Sequence, residues 1–595
     1  MPVVPSAPPA APCLTTRTLA GLALLTLIGA VYVGFTSLPL GVPSEWVWTR
    51  KTQLESPWFR WPGPLCAAIA YWFFIRWLTR PAPLRSGRAA GALLPNANLP
   101  SPAPPRGLGP VALLAGAALA WLLCLLQSAP PGFDLAKAGW VLYYPGPSGY
   151  FTQARHHTEA SRQARQPRTA WLTNYEQTVA TGDVLHLGTH PPGLVLALQG
   201  LIALVEAVPP LAPALRAIEP TTVELSFAEI ARLSARPGPP QAGVDPSLTL
   251  APLSANDRAV LWLAMLLTVL AGALTVIPLW GLLRRALPER DALLLAAFWP
   301  TLPARAIFLP KSDGVFPLLG CGCLWAWNEA LLARTGPRRT LLALVAGVVL
   351  WLGLLCSLAF LVIVAAGWLL TLAHGLMLAP HAVHAAQPLA TPAVPGQSGG
   401  DGTTRWAGPL TVLGVGLATL LVATVVFTWL TGCNLGSVWR WNYLNHSRFY
   451  QQFTRTWWAW LLVNPLELLL AAGPPVVGLA GWALVQSVRG RRVSPVAGGL
   501  AIAWSLVYLS GKNRGEAARL WLLLMPTLLL VVGDWLNPRV GPRLAAPQAL
   551  LDAAPGLSPQ EELASSVRQH RQLLRVLALQ LGYAWLVVST VVGFA

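Results

Sequence analysis

Runs of apolar residues long enough to cross a bilayer recur along the whole chain, and no other feature constrains its fold as tightly. Leu19–Leu38 and Ala259–Leu283 each hold about 20 residues or more, enough for a helix to traverse roughly 30 Å of hydrocarbon. Similar blocks fall near 60–78, 108–128, 192–208, 291–309, 313–333, 340–356, 357–378, 408–431, 458–487, 495–510, 517–533 and 576–594. Together they make about fourteen candidate spans. Apolar residues form 54% of the 595 and charged residues 11%, too little charge to coat a soluble domain of this length.

The net charge of +18, from 41 basic and 23 acidic residues, would suggest nucleic acid in a soluble protein. In a membrane protein it reflects basic residues gathered in cytoplasmic loops, so no nucleic-acid partner is expected. The seven cysteines, Cys13, Cys66, Cys124, Cys321, Cys323, Cys356 and Cys433, sit mostly inside apolar blocks without metal-ligand spacing. They read as small hydrophobes rather than a disulfide framework. No cleavable signal is expected ahead of the first span.

Loop charge orients the chain. With the N-terminus cytoplasmic, Arg80, Arg85, Arg88 and Arg106 lie inside and residues 129–191 outside. If block 192–208 crossed, Arg284, Arg285, Arg334, Arg338, Arg339, Arg489, Arg491 and Arg492 would all lie outside, against the positive-inside rule. If it does not cross, they return inside, with Arg539, Arg543, Arg568, Arg571 and Arg575. The block is short and follows His190-Pro191, so it reads as a juxtamembrane or re-entrant helix. The expected fold is an all-α polytopic membrane protein of about thirteen transmembrane helices, with a large extracytoplasmic loop containing juxtamembrane helices. Residues 1–107 form a two-span N-terminal extension with its cytoplasmic loop. Residues 108–534 form the membrane core, with outer loop 129–258, and 535–595 a cytoplasmic segment and last span. Segment 379–407 reads as flexible, and Pro547–Arg575 as an amphipathic helix on the membrane.

Four outer features carry candidate chemistry. The long loop mixes Asp134, Lys137, Arg155, Glu159, Asp183 and four of the nine histidines with aromatics such as Tyr150 and Trp171. Aromatic rings stack on sugar faces and arginine binds phosphate oxygens in pairs. Its sharpest segment, Thr181–Gly193, carries Asp183, His186 and His190 ahead of two prolines that set a helix start. A stop-and-turn before an interfacial helix explains the same residues equally well. Lys311-Ser-Asp313 puts a carboxylate at the mouth of a span, where an ion pair with Lys311 is the plainer reading. Trp439–Phe453 places Asn442, Asn445, His446 and Arg448 outside, as a ligand surface or an aromatic belt. Gly511–Arg519 sets Lys512, Arg514, Glu516 and Arg519 on the side the charge rule disfavours, which an anionic ligand such as a lipid phosphate explains.

In this order the features resemble the GT-C superfamily of polyprenyl-phosphate-sugar-dependent glycosyltransferases, including protein O-mannosyltransferases and lipid A aminoarabinose transferases. Gly149–Ala154, Gly182-Asp183 and His190-Pro-Pro-Gly193 look like the aromatic helix, Gly-Asp step and Lys-Pro-Pro-Leu-like motif of their first outer loop. Asp257-Arg258 with Arg284-Arg285, Ser312-Asp313-Gly-Val and Arg514–Trp521 look like their later signatures. The family usually carries an acid just before the aromatic helix, whereas Tyr144–Ser148 has none. The resemblance implies an inverting transfer of a sugar from a polyprenyl-phosphate donor to an acceptor hydroxyl at the extracytoplasmic face of a cell membrane. Asp134, Asp183 and Asp313 are the catalytic candidates, Asp134 first as base. Arg155, His186, His190, His446, Lys512, Arg514 and Arg519 are the substrate-binding ones. No cofactor is demanded, although Mg²⁺ or Mn²⁺ through carboxylate oxygens is compatible. The partners implied are the lipid-linked donor and membrane lipid, and the oligomeric state stays open. The competing classes are a transporter or lipid flippase, a catalytically inactive relative, and a purely structural membrane protein. A transporter predicts mid-span ionisable residues and an internal repeat; mid-span charges are scarce here, with Glu467 inside an over-long block.

Overall fold

The computed structural model describes residues 14–54, 62–80, 108–143, 149–184, 186–234, 253–377, 403–490, 493–537 and 559–594. Tyr144–Ser148, nearly all of 379–407, and 538–558 with Arg539 and Arg543 lie outside that set.

The described chain is mainly helical. Helix α1 (Thr16–Phe35) leads to a hairpin of β1 (Gly41–Val42) and β2 (Trp46–Arg50), then α2 (Gly63–Leu78) and α3 (Gly109–Leu126). The outer-loop region folds into α4 (Lys137–Leu142), α5 (Tyr150–Gln163), α6 (Tyr175–Ala180), α7 (Gly193–Ala207), α8 (Leu211–Ala217) and α9 (Thr221–Ser234). The bundle continues through α10 (Ala255–Leu274), α11 (Val276–Leu283), α12 (Glu289–Ala296), α13 (Ala304–Ile307), α14 (Phe316–Leu332), α15 (Gly336–Cys356), α16 (Leu361–Met377) and α17 (Thr403–Thr431). It closes with α18 (Leu435–Gln452), α19 (Trp457–Ala472), α20 (Pro474–Arg489), α21 (Pro495–Leu509), α22 (Ala517–Leu520), α23 (Pro526–Leu536), α24 (Pro559–Thr590) and β3 (Val591–Phe594). Local chemistry sets many starts. Proline occupies the first turn of α2, α3, α14, α15, α20, α21 and α23, where its missing N–H costs nothing. Ser254 and Asp257 form a reciprocal capping box on α10, at 3.1 and 2.8 Å.

Among the described residues, eight helices are long and apolar enough to cross a membrane, or up to ten if each of two sharply bent pairs counts as one span. The chain is therefore a multi-pass helical membrane protein, and the expectation of about thirteen full crossings is finer than these lengths establish. Block 291–309 is not one helix. It breaks into α12, a 3-10 turn at Trp299–Thr301, and α13, and Ala292–Ala306 is buried throughout inside the protein. Hydropathy registers burial, and protein can supply the apolar surroundings as well as lipid. Block 458–487 bends by 115° between α19 and α20. The described part of the amphipathic segment expected before the last span, from Pro559, is continuous with that span in the single helix α24. The two chain ends also meet: β2 pairs antiparallel with both β1 and β3, and α1 packs on α24.

Helix α7 decides how the loop region sits. It runs beside α5. At one end Tyr150 of α5 meets the His190 ring, 5.6 Å between centroids. At the other, Glu206 of α7 binds Arg162 and Arg168, both at 2.7 Å. Midway, buried Gln199 accepts from the Trp171 indole at 3.0 Å and donates to the Arg168 carbonyl at 3.2 Å. A helix carrying Arg155, His156, His157, Glu159 and Arg162 cannot lie in hydrocarbon, and α7 follows it along its length. After a 100° bend into α8, the chain returns through α9, packed on α4, to Asp257, which pairs with Arg155 at 3.4 Å. The chain thus leaves and re-enters the bundle at the same end.

Candidate functional site

Four chain segments meet at that end. The first is Thr181–Gly193. Gly182 takes φ +94°, a conformation that favours glycine. One Asp183 oxygen accepts from the backbone amides of His186 and Gly188, at 3.2 and 3.1 Å. A Cβ on Gly188 would stand 1.9 Å from the Asp183 carbonyl, so the turn admits no side chain there. The second segment, α18, holds this turn from behind. Fully buried Asn442 donates to the carbonyls of Gly188 and His190, and Asn445 to those of Val179 and Gly188, at 2.7 to 3.2 Å. Tyr175 adds a bond to the His190 carbonyl at 2.9 Å. The asparagines of Trp439–Phe453 are thus scaffold.

The third segment is the 3-10 turn Ser312–Gly314 with Lys311 before it. Arg305, buried against Trp299, donates to the Gly314 carbonyl at 2.8 Å and fixes the turn. The fourth is Gly511–Arg519. Arg519 binds Glu516 at 2.6 Å and faces Asp313 at 3.7 Å, and joins the last segment to the third.

Electrostatics marks these groups as one cluster. Burial pulls the Lys311 ammonium down to about 8, helped by Arg519 and opposed by Glu516 and Asp313. Burial would raise the Glu516 carboxyl, but Arg519, Lys311 and Arg455 outweigh it and hold it below the usual range. Arg519 is lifted, because Glu516 and Asp313 outweigh its burial. Burial takes His186 to about 4, with the His190 charge adding, and lowers His190 too, so both rings are neutral at pH 7. The Tyr150 hydroxyl rises through burial and then Asp313, and its ring meets His186 edge-on at 5.8 Å.

Five sequence candidates are therefore brought together: Asp183, His186, His190, Asp313 and Arg519. His446 lies at the margin, lowered to about 4 by burial, then Lys512 and His190. Lys512 stands 4.0 Å from the Tyr443 ring centroid and donates to Ser447 at 3.1 Å. Arg514 donates to the carbonyls of Gly511 and Arg455, at 2.9 and 3.1 Å, and so builds the turn. Arg155 is engaged by Glu159 and Asp257. Asp134 accepts from the Ala136 amide at 2.8 Å and opposes the burial of Lys137, whose ammonium donates to the Ile307 carbonyl. Lys137 in turn senses Lys311, so Asp134 stands one residue behind the cluster. Sequence reasoning named Tyr150 only among the loop aromatics and Glu516 only within the Gly511–Arg519 turn, and made neither a site candidate; an acid inside an otherwise basic turn was the available signal for Glu516. Among the described residues no three His, Cys, Asp or Glu side chains converge as a metal-ligand set. Asp313 and Glu516 face Arg519, and one Asp183 oxygen accepts two backbone amides.

No protein-family model matches the chain, and no curated protein matches it. Among solved structures, it is similar to the crystal structure of the Archaeoglobus fulgidus oligosaccharyltransferase in complex with zinc and sulfate. That match has 16% identity and a TM-score of 0.29, over 58% of this chain and 43% of that one. The chain spans less than half of that enzyme's length, and a superposition this loose assigns neither fold nor activity.

Proposed function

We propose that the chain is a membrane glycosyltransferase moving a sugar from a polyprenyl-phosphate donor to an acceptor hydroxyl at the extracytoplasmic face. The observation that carries this reading is the cluster of Asp313, Arg519, Glu516 and Lys311 beneath Tyr150, His186 and His190. Carboxylates and cations gathered from distant segments, at the end of a bundle whose helices expose apolar flanks, suit a donor with a phosphate head and a lipid tail. The acceptor oxygen attacks the anomeric carbon as the bond from that carbon to phosphate oxygen breaks. The electron pair leaves on the polyprenyl phosphate, where Arg519 and Lys311 offset the developing charge. The acceptor proton passes to a carboxylate. Asp313 takes that role, because Asp183 spends one oxygen on two backbone amides and Asp134 stands behind Lys137. The neutral rings of His186 and His190 are suited to sugar hydroxyls.

The bent pair α19–α20, with Glu467 buried in α19, favours a transporter, since discontinuous helices and buried ionisable residues mark transporter sites. Its exposed carbonyl is already occupied: Gln580 donates to Ala472 at 2.9 Å. The test is release of polyprenyl phosphate from a labelled lipid-linked sugar by the protein in proteoliposomes. Release should fall by about 100-fold or more in Asp313→Asn and Arg519→Met. Movement of intact donor across the bilayer with no bond cleavage would overturn the reading in favour of transport.

A further inference from the structure

The first amides of any helix need acceptors from outside it. Helix α22 begins at Ala517, so a capping side chain belongs at Glu516. Glu516 stands instead at φ +55°, a left-handed conformation rare for a residue with a Cβ, and its side chain caps none of the helix's backbone amides. Its carboxylate turns to Arg519. The acceptor that α22 lacks comes from α19. Glu467 accepts the Ala517 amide at 3.0 Å through one oxygen and the Trp48 indole N–H at 3.1 Å through the other. Glu467 is fully buried, and a carboxylate within an apolar helix is costly enough to need a purpose. Trp48 sits in β2 opposite Phe594 of β3. The sheet built from both chain ends therefore reaches the back of the cluster through two hydrogen bonds.

We propose that Glu467 is a positioning residue. Held by Trp48, it supplies the cap that Glu516 gives up, and so keeps Arg519 between Glu516 and Asp313. Its consequence for turnover rests on the transfer reaction proposed above; its consequence for the turn does not. A plainly structural cap would sit on residue 516 itself, and would leave that carboxylate out of the cluster.

The experiment is hydrogen–deuterium exchange of the full chain in lipid nanodiscs, for wild type, Trp48→Phe, Glu467→Gln and the exposed-pair control Arg232→Ala. Peptides covering 511–521 should exchange about tenfold faster in the first two variants, as loss of one buried hydrogen bond implies, and unchanged in the control. In the release assay the same two variants should lose kcat while KM for the lipid-linked sugar stays put. Wild-type exchange at 511–521 in both folded variants overturns the proposal, and so does faster exchange with an undiminished kcat. Exchange is read without substrate, so a wild-type protein silent in release counts against the reaction while exchange still decides the positioning. Trp48→Phe removes the indole N–H together with part of the buried ring while leaving Glu467 in place, and its exchange decides the matter should Glu467→Gln fail to fold.

Discussion

Among the described residues two apolar helix pairs are bent by about a right angle, α7–α8 by 100° and α19–α20 by 115°, and they solve the bend differently. The first lies beside polar α5, where Gln199, Glu206 and the arginines of the loop anchor it. The second breaks deep in the bundle at Gly473, where φ is +99° and a Cβ would stand 2.4 Å from the Gln580 amide. Pro474 packs there against Gly29 of α1. A helix can stop wherever its open carbonyls find donors. Helix α7 is instead held through its own side chains against a polar layer, whereas inside the bundle one glutamine donates to the α19 carbonyl and one glycine makes the turn. The deep bend should therefore be the fragile one.

That contrast can be broken by mutation. The largest loss is expected for Gly473→Ala, which forces a Cβ into a glycine-only conformation against Gln580, at roughly 2–5 kcal/mol in thermal unfolding of the protein in detergent. Gln580→Leu should follow at about 2–3 kcal/mol, since the Ala472 and Thr301 carbonyls lose their donor away from water. Gln199→Leu, at the polar layer, should cost about 1 kcal/mol, because its partners, the Trp171 indole and the Arg168 carbonyl, are only partly buried. Equal losses at Gln199 and Gln580 would remove the distinction between the two bends.

Acid sharpens the comparison further. Burial depresses His186 to about 4 from the ordinary 6.5. Its contribution to stability is complete above pH 6.5 and is lost as the pH falls toward 4, where the buried ring must charge. The melting temperature should drop across that window, and His186→Gln should flatten the drop. The smallest effect belongs to Arg162→Ala, whose ion pair with Glu206 is largely solvated, at about 0.5 kcal/mol or less.

The spans and the polar end were legible because length, hydropathy and loop charge act one block at a time. Asp183, His186 and His190 were marked by the turn before two prolines, Asp313 as a carboxylate at the mouth of a span, and Arg519 as part of a basic turn on the disfavoured side. The segment 291–309 was not legible, because lipid and protein reward the same apolar residues. Nor was Arg514 told apart from Arg519: both are basic residues of one turn, and only the fold gives one to backbone carbonyls and the other to Asp313 and Glu516. Glu467 looked like a misfit in an over-long block; its partners Trp48 and Ala517 lie far from it in the sequence.

All of this rests on α7 lying along the membrane, so that the four segments of the site share one face. Side-specific labelling of single cysteines in a cysteine-free background, placed at Arg162, Asn513 and Arg338, tests that most directly. Positions 162 and 513 should react with a membrane-impermeant thiol reagent from the same side, and position 338 only from the other. Labelling of 162 and 513 from opposite sides would mean that α7 crosses, and would contradict the account.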